Sequence, residues 1–552
     1  MTQPRRIVIV GGVAAGMSAA TRLRRLDERA RITVIERGAA VSLATCGMPY
    51  VIGGDIPARD ALLLQTPERL RERFDLDVRV RTEATAIDRA RRVLVVASEA
   101  GVEELPYDDL VLATGAEPVT LDVPGGERAL ALRGLDDLDR ILAAADGART
   151  AVVIGGGFVG LEVAENLHQR GIRVALVHRG RQLLSALDPE MGVAVTDAAR
   201  AAGVEVRLGV APARIGEASV ELSSGEELPA ELVITAAGVR PASTLAREAG
   251  LAIGSAGGVL VDDELRTSDP AIRAVGDVAE KPDAVLGGTR SIPLAGPANH
   301  HGRLVADALA GLDIVVPPTL GTAIVGAFGV VAAVVGATEA QLVQAGIAHR
   351  VIHTHPANHV GYYPGAESMS LKLIVAVDDD RILGAQAVGG AGVDRRIDVL
   401  ATAMRAGVTA SELAGLELAY APQFGSAKDP VNMLGYVAQN RRDGERAVQW
   451  HELDAALASG ARLVDVRGEA QLEEGGIPGA EWIPVEALRA RIDELRAGPV
   501  VVHCRVGQGA HTAMKLLEAH GVDAANLDGG YLTWRAAQRA GLIPTPEKET
   551  LR

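Results

Sequence analysis

The chain has 552 residues, 48% apolar and 23% charged, a globular balance with length for roughly three or more domains. Its formal net charge of −15 argues against nonspecific nucleic-acid or anionic-membrane binding, because phosphate contacts need clustered Lys and Arg. No run approaches the roughly 20 consecutive apolar residues of a membrane helix, and two cysteines give no disulfide framework and suit a reducing cytoplasm.

The amino terminus, Met1 to Arg6, leads into only a few apolar residues, too short for a signal-peptide core, so a cytoplasmic protein is expected. Residues 7–10 (Ile-Val-Ile-Val) predict a short buried strand. Gly11-Gly12-Val13-Ala14-Ala15-Gly16 turns it into a helix of small residues, and a second strand at 32–35 ends at Glu36 and Arg37. Near residue 150 the pattern recurs: a strand at 151–154, the turn Gly155-x-Gly157-x-x-Gly160, a helix, and a strand ending at His178 and Arg179. Strands ending in Thr114-Gly115 and in Ala237-Gly238, and a late strand ending in Gly276-Asp277, complete the two units.

A dinucleotide's phosphate bridge needs glycines, so that backbone N–H groups approach it, and a helix N-terminus to receive its charge. The second turn fits this pattern fully, whereas in the first Val13 stands at the middle glycine position. Two units mean two dinucleotide sites. Glu36 can accept hydrogen bonds from both hydroxyls of an adenosine ribose. The matching residue of the second unit is His178, with Arg179 and Arg181 near it, a setting that welcomes a 2′-phosphate and favours NADPH over NADH. The alternative is that these arginines form a solvated turn.

Residues 321–440 alternate β-rich runs with helices and carry no third glycine fingerprint. Residues 439–446 are polar and charged and read as a linker. All three tryptophans, Trp450, Trp482 and Trp534, follow it, and the last hundred or so residues read as a small α/β domain. The two cysteines sit in settings that suit chemistry better than packing. Cys46 lies in Ser42-Leu43-Ala44-Thr45-Cys46-Gly47-Met48-Pro49-Tyr50. Cys504 lies where an apolar strand meets a glycine-bearing loop.

The first 438 residues or so resemble the pyridine nucleotide–disulfide oxidoreductases, in which FAD binds first and NAD(P)H binds in an inserted domain. The resemblance implies an FAD-binding domain over 1–115 and 245–320, an NAD(P)H-binding domain over 116–244 and an α+β dimerisation domain over 321–438. Most of that superfamily carries a Cys-x4-Cys disulfide. The Ser-x-x-x-Cys-Gly-x-Pro-Tyr pattern around Cys46 is similar to the single-cysteine branch of CoA disulfide reductases, persulfide reductases, NADH oxidases and NADH peroxidases. Tyr362, Tyr420 and Lys428 match the CoA-linked members, where the tyrosine pair reaches the partner subunit's flavin site, which implies a homodimer. By the same resemblance Ser18, Arg22, Arg25, Ser42 and Thr45 would contact coenzyme A. Leu43 stands where the family usually has Phe, Phe74 where a CoA-contacting lysine occurs, and Asn299 where some members have histidine.

Residues 447–545 resemble a rhodanese domain, on Leu463-Val464-Asp465-Val466-Arg467, Ile477-Pro478-Gly479-Ala480, the Cys504 loop and Asn526-Leu527-Asp528-Gly529-Gly530-Tyr531. Successive N–H groups around Cys504 would hold an anionic persulfide and lower the thiol's pKa. Rhodaneses of this fused type usually carry Arg near the loop's end, where this chain has Gly509 and Ala510; Arg505 is expected to supply the charge instead. The expected enzyme is an α/β protein with two Rossmann-like domains, an α+β dimerisation domain and a rhodanese domain. It reduces CoA disulfide, CoA persulfide or polysulfide with NAD(P)H and FAD through Cys46, with no metal. Two alternatives stand beside it: an NADH oxidase or peroxidase that cycles Cys46 through sulfenic acid, and a rhodanese module that only docks partners.

Overall fold

A computed structural model describes residues 4–544. Met1 to Gln3, part of the stretch read for a leader, and residue 545, the end of the expected rhodanese span, lie outside the described residues. The chain forms two compact units: residues up to Arg181 with Gly203–Gly321, and Gln182–Ala202 with residues from Thr322 onward.

The first unit holds two five-stranded parallel sheets. One runs Ile272–Ala274, Asp109–Leu112, Arg6–Val10, Arg31–Ile35, Asp77–Arg79. The other runs Glu205–Leu208, Arg173–His178, Thr150–Ile154, Leu232–Thr235, Leu130–Ala131. Their central strands are unbroken apolar runs, buried on both faces, as parallel strands covered on both sides require. The registers match: Val10 pairs with Ile35, and Ile154 with Val177. Each second strand therefore delivers its end, Glu36 or His178, beside the glycine turn of the first.

Small residues in helix Ala14–Leu26 are a packing requirement. Helix Ala295–Leu309 crosses it so closely that a Cβ on Gly302 would lie 2.2 Å from the Ala15 carbonyl oxygen. The sheet's late strand, Ile272–Ala274, comes from beyond the second sheet's segments, so the chain leaves the first nucleotide fold and returns to it.

The second unit contains an antiparallel sheet, in the order Ala323–Ala327, Val330–Gly336, Ile382–Gly389, Ser370–Ala376, His349–Thr354. It also contains a parallel sheet ordered Ala447–Val448, Ala524–Leu527, Val500–His503, Arg462–Asp465, Glu481–Trp482. Helix Pro189–Ala201 belongs to this unit although its sequence lies within the expected NAD(P)H-binding span. Ionic contacts hold its amino-terminal end there. Lys372 is fully buried, and its Nζ lies 2.9, 2.5 and 2.6 Å from Asp188, Glu190 and Glu339. Gln386 adds a reciprocal pair with Asp188, its Nε2 donating to Oδ2 at 2.6 Å and its Oε1 accepting from the backbone N–H at 2.9 Å.

The stretch expected to be a linker begins inside a helix. Gln439 to Arg442 continue helix Pro430–Arg442, and Arg441 is held by Asp528 at 3.1 Å. Arg441 pairs inside the unit, whereas Arg442, Asp443 and Arg446 are exposed. Among the described residues no helix is long and apolar enough to cross a membrane.

Candidate active site

The two glycine turns share one construction. Gly11 takes φ +111°, and a Cβ there would lie 2.1 Å from the Ala113 carbonyl oxygen; a Cβ on Gly16 would lie 1.8 Å from the Gly11 oxygen. Gly155, at φ +119°, would meet the Ala236 oxygen at 2.1 Å, and Gly160 the Gly155 oxygen at 1.8 Å. The outer glycines are therefore demanded by backbone packing. Gly157 differs, since a Cβ there would have nothing within 4 Å. The middle position faces open space, which explains why the fold accepts Val13 in the first unit.

Gly12 N–H donates to Glu36 Oε2 at 2.7 Å and Gly38 N–H to Oε1 at 2.7 Å. Each oxygen keeps a lone pair for a ribose hydroxyl. In the second unit Gly156 N–H donates to His178 Nδ1 at 3.2 Å, which leaves the ring proton on Nε2. Burial, with Arg179 beside it, pushes the imidazole below the usual histidine value, so the ring is neutral there. Arg37 pairs with Glu117 at 3.4 Å. Thr114 Oγ1 donates to the Ala242 carbonyl at 2.8 Å, and Gly115 turns the chain at φ +71°.

Gly276 and Asp277 open the short turn Gly276–Val278. Asp277 Oδ1 is buried without a partner, and burial raises its carboxyl to about 6 despite Lys281 nearby. An orphaned buried acceptor costs about 1–3 kcal/mol. A donor from a bound polyol chain would satisfy it, so this site fits FAD. The buried Lys281 fixes the turn by donating Nζ to the Gly276 carbonyl at 2.7 Å.

Cys46 is exposed in the tight turn Thr45–Gly47, ahead of helix Met48–Gly53. The segment is tied back to the first nucleotide turn, with Ser42 N–H donating to the Gly12 carbonyl at 2.8 Å and Ala44 N–H to Leu62 at 2.9 Å. Helix Met48–Gly53 lies on helix Phe158–Gln169 of the second nucleotide fold. A Cβ on Gly53 would meet Asn166 Oδ1 at 2.0 Å, and Tyr50 OH donates to Glu162 at 3.3 Å. Burial and then Glu162 push the Tyr50 phenol up to about 12, and burial raises Glu162. The thiol is thus carried by a turn anchored to both nucleotide folds. Neither Tyr50 nor Glu162 stood among the expected site residues. Their signal was an acid two residues after Gly160, in the apolar first turns of the helix.

The residues expected to contact coenzyme A fall into two groups. Ser18 Oγ donates to Asn299 Oδ1 at 2.6 Å. The guanidinium carbons of Arg25 and Arg73 lie 5.4 and 5.3 Å from the Phe74 ring centroid. Arg22, by contrast, gives its Nε to Asp307 at 2.7 Å, so a phosphate would meet an arginine already neutralised. Ser42 takes the left-handed φ of +50°, and Thr45 opens the Cys46 turn.

In the second unit the Tyr362 and Tyr420 hydroxyls share a hydrogen bond at 3.1 Å, with the residues 75% and 46% exposed. Val360 N–H donates to the Gly425 carbonyl at 3.1 Å, and Arg395 binds the Phe424 and Ala419 carbonyls at 2.9 and 2.8 Å. Two distant loops are joined there, and the phenols meet at their tips. Lys428 is exposed beside Asp429, the cap of helix Pro430–Arg442.

Cys504 is 7% exposed at the end of strand Val500–His503, ahead of helix Gln508–Ala519. A Cβ on Gly509 would lie 3.5 Å from Cys504 Sγ, so glycine at this point keeps space open at the sulfur. Arg505 does not supply the loop's charge as expected: Glu474 accepts from its Nε at 2.7 Å. Burial pushes His503 down to about 4, so it is neutral at pH 7. The helix's first turn, with N–H groups that lack intrahelical partners, remains as the anion-stabilising feature.

The pyridine nucleotide-disulphide oxidoreductase family matches residues 5–302, its dimerisation domain residues 322–430, and the rhodanese-like domain residues 449–537. The coenzyme A disulfide reductase of Staphylococcus haemolyticus is 34% identical over 441 residues, which is 79% of this chain and 100% of the relative. A Staphylococcus aureus coenzyme A disulfide reductase is 33% identical over 439 residues, again 79% and 100%. Among solved structures, reduced Bacillus anthracis CoADR-RHD superposes with a TM-score of 0.95 at 41% identity, over 97% of this chain and 98% of that one. A NAD-dependent persulfide reductase from A. fulgidus gives 0.90 at 36% identity, over 96% and 100%. The paired nucleotide folds, the thiol between them and these likenesses place the chain in the pyridine nucleotide-disulphide oxidoreductases, an enzyme family dependent on FAD and NAD(P)H, with a rhodanese-like domain following its dimerisation domain.

Proposed function

We propose that this enzyme reduces the S–S bond of CoA disulfide or CoA persulfide through Cys46. The observation that carries the reading is an exposed thiol on a turn tied to both nucleotide folds. The relatives named above, a coenzyme A disulfide reductase and a persulfide reductase, support the substrate class. With CoA disulfide, one NADPH and one proton yield two CoA thiols and NADP+. With CoA persulfide, the same reductant and proton yield one CoA thiol, hydrogen sulfide and NADP+. FAD, held by the Gly11 turn, Glu36 and Asp277, supplies the two-electron link between nicotinamide and sulfur. Cys46 thiolate attacks one sulfur of the substrate, and thiolate or hydrosulfide leaves, with CoA remaining as a mixed disulfide on Cys46. Ser18, Arg25, Ser42 and Thr45 bind the CoA moiety, with Lys428 at its far end. The neutral His178 with Arg179 favours NADPH.

The chain acts as a homodimer in the cytoplasm. The dimerisation domain and the exposed Tyr362–Tyr420 pair support the first, since a phenol pair at a surface is suited to serve a second copy's thiolate. Its two free thiols suit a reducing compartment. Cys504 carries sulfane sulfur. With thiosulfate as donor, its thiolate takes the outer sulfur and releases sulfite, and a CoA thiolate then accepts that sulfur to give CoA persulfide.

The test is anaerobic NAD(P)H oxidation by the FAD-loaded enzyme, with CoA disulfide or CoA persulfide as acceptor. Cys46→Ser should lose at least about a thousandfold in kcat/KM on both, the scale set by removing a nucleophile. Retained turnover in the variant, or turnover that needs oxygen or peroxide instead of either acceptor, overturns the reading.

A further inference from the structure

His353 sits on the edge strand His349–Thr354 of the antiparallel sheet and is buried. Its Nδ1 lies 2.8 Å from Asp528, its Nε2 3.3 Å from Glu190, and its backbone N–H donates to the same Asp528 at 2.8 Å. Asp528 belongs to the rhodanese sheet's last loop, and Arg441 reaches its other oxygen at 3.1 Å. The signs alternate along the row Lys372, Glu190, His353, Asp528, Arg441 when His353 carries its proton.

The turn that follows Asp528 has no slack. Gly529 and Gly530 take φ +67° and +64°. A Cβ on Gly529 would lie 2.7 Å from His353 Cβ, on the sheet side. A Cβ on Gly530 would lie 2.5 Å from the Cys504 carbonyl oxygen and 2.8 Å from the Gly507 nitrogen, on the loop side. Tyr531 and Leu532 N–H groups then donate to the Cys504 and Arg505 carbonyls at 2.9 and 3.0 Å. Glu445 Oε2 also lies 2.7 Å from Nδ1 of His511, on the helix that starts beyond Cys504, but the two atoms make no hydrogen bond.

We infer that His353 is a positioning residue for the Cys504 loop: through Asp528 and the glycine pair it sets the approach of the loop and helix N–H groups to the Cys504 sulfur. The inference rests on the reading of Cys504 as a sulfur carrier. Any shift of Asp528 must pass into the loop, because neither side of the turn has room to absorb it. A residue outside the rhodanese sequence would then govern the acidity of the rhodanese thiol.

The chain's two cysteines make this measurable, since Cys46→Ser leaves Cys504 as the sole thiol. In that full-length background the pH profile of Cys504 alkylation by iodoacetamide gives the thiol pKa. His353→Leu, which keeps bulk but donates nothing, and Asp528→Asn should each raise that pKa by about one unit, equal to about a tenfold loss of thiolate at neutral pH. His353→Asn, which keeps a donor near the Nδ1 position, should hold the parent value. With Cys46 restored, FAD content and NAD(P)H-driven reduction of CoA disulfide should be unchanged in all three variants. An unshifted thiol in His353→Leu and Asp528→Asn, with a low parent value, overturns the inference alone. Parallel loss of FAD and reductase turnover makes the row merely structural and also overturns it. A parent thiol at the ordinary value near 8.5 that takes no sulfur from thiosulfate defeats the carrier reading, and the inference with it.

Discussion

Glu36 and His178 accept the equivalent N–H of the two glycine turns, Gly12 in the first and Gly156 in the second, so the two nucleotide sites differ at this point by one side chain. A carboxylate accepts from ribose hydroxyls and repels a 2′-phosphate, whereas a neutral imidazole beside Arg179 does neither. His178→Glu should therefore move coenzyme preference from NADPH toward NADH. About tenfold is expected in the ratio of kcat/KM values, the equivalent of about 1.4 kcal/mol, read by paired steady-state kinetics. An unchanged ratio would remove His178 from coenzyme choice. Position, spacing and turn type were legible here, because a glycine fingerprint after an apolar strand leaves the backbone few options. What the sequence did not show was commitment elsewhere. Nothing in the residues around Arg22 or Arg505 reveals that Asp307 and Glu474 already hold them, since those partners arrive from far along the chain.

Among elements, the edge strand His349–Thr354 shows how a pattern can hide a function. Nothing in His349-Arg350-Val351-Ile352-His353-Thr354 sets its second histidine apart, yet His353 reaches from the antiparallel sheet to the loop after the parallel sheet's Ala524–Leu527 strand. Burial works against the charged ring, but the hydrogen bonds to Asp528 and Glu190 outweigh it and bring His353 up to about 9. Lys372 and Arg441 face the same group of carboxylates, and His355 lies two residues on, pushed down to about 3 by burial and then His353. For a base with a raised value, the stabilisation is present in full below the ordinary histidine value near 6.5 and is lost as pH rises through about 9. Hydrogen exchange of this strand in the parent and in His353→Leu should therefore differ most at pH 6.5 and converge by pH 9.5. A difference that does not shrink over that window would show that the proton contributes nothing. Within residues 439–446 the covered Arg441 could not be told from its exposed neighbours, because its partner Asp528 lies 87 residues later.

Across the whole molecule, the order of domain types was readable because each carries a local signature: a glycine turn, an alternating β-rich stretch, a cysteine at a strand end. The contacts of helix Pro189–Ala201 with the second unit were not, because Lys372 and Glu339, which meet Asp188 and Glu190 there, lie far along the chain. The two thiols occupy separate units, Cys46 exposed and Cys504 nearly enclosed, and the proposed function assigns reduction to the first and sulfur carriage to the second. In the proposed reaction Cys46 holds CoA covalently during turnover. This is tested most directly by incubating the FAD-loaded enzyme with CoA disulfide in the absence of reductant, then mapping the adduct by mass spectrometry before and after NADPH. One CoA per chain, on Cys46 and released by NADPH, is the expected result. An adduct confined to Cys504, or one on Cys46 that NADPH leaves in place, would contradict it.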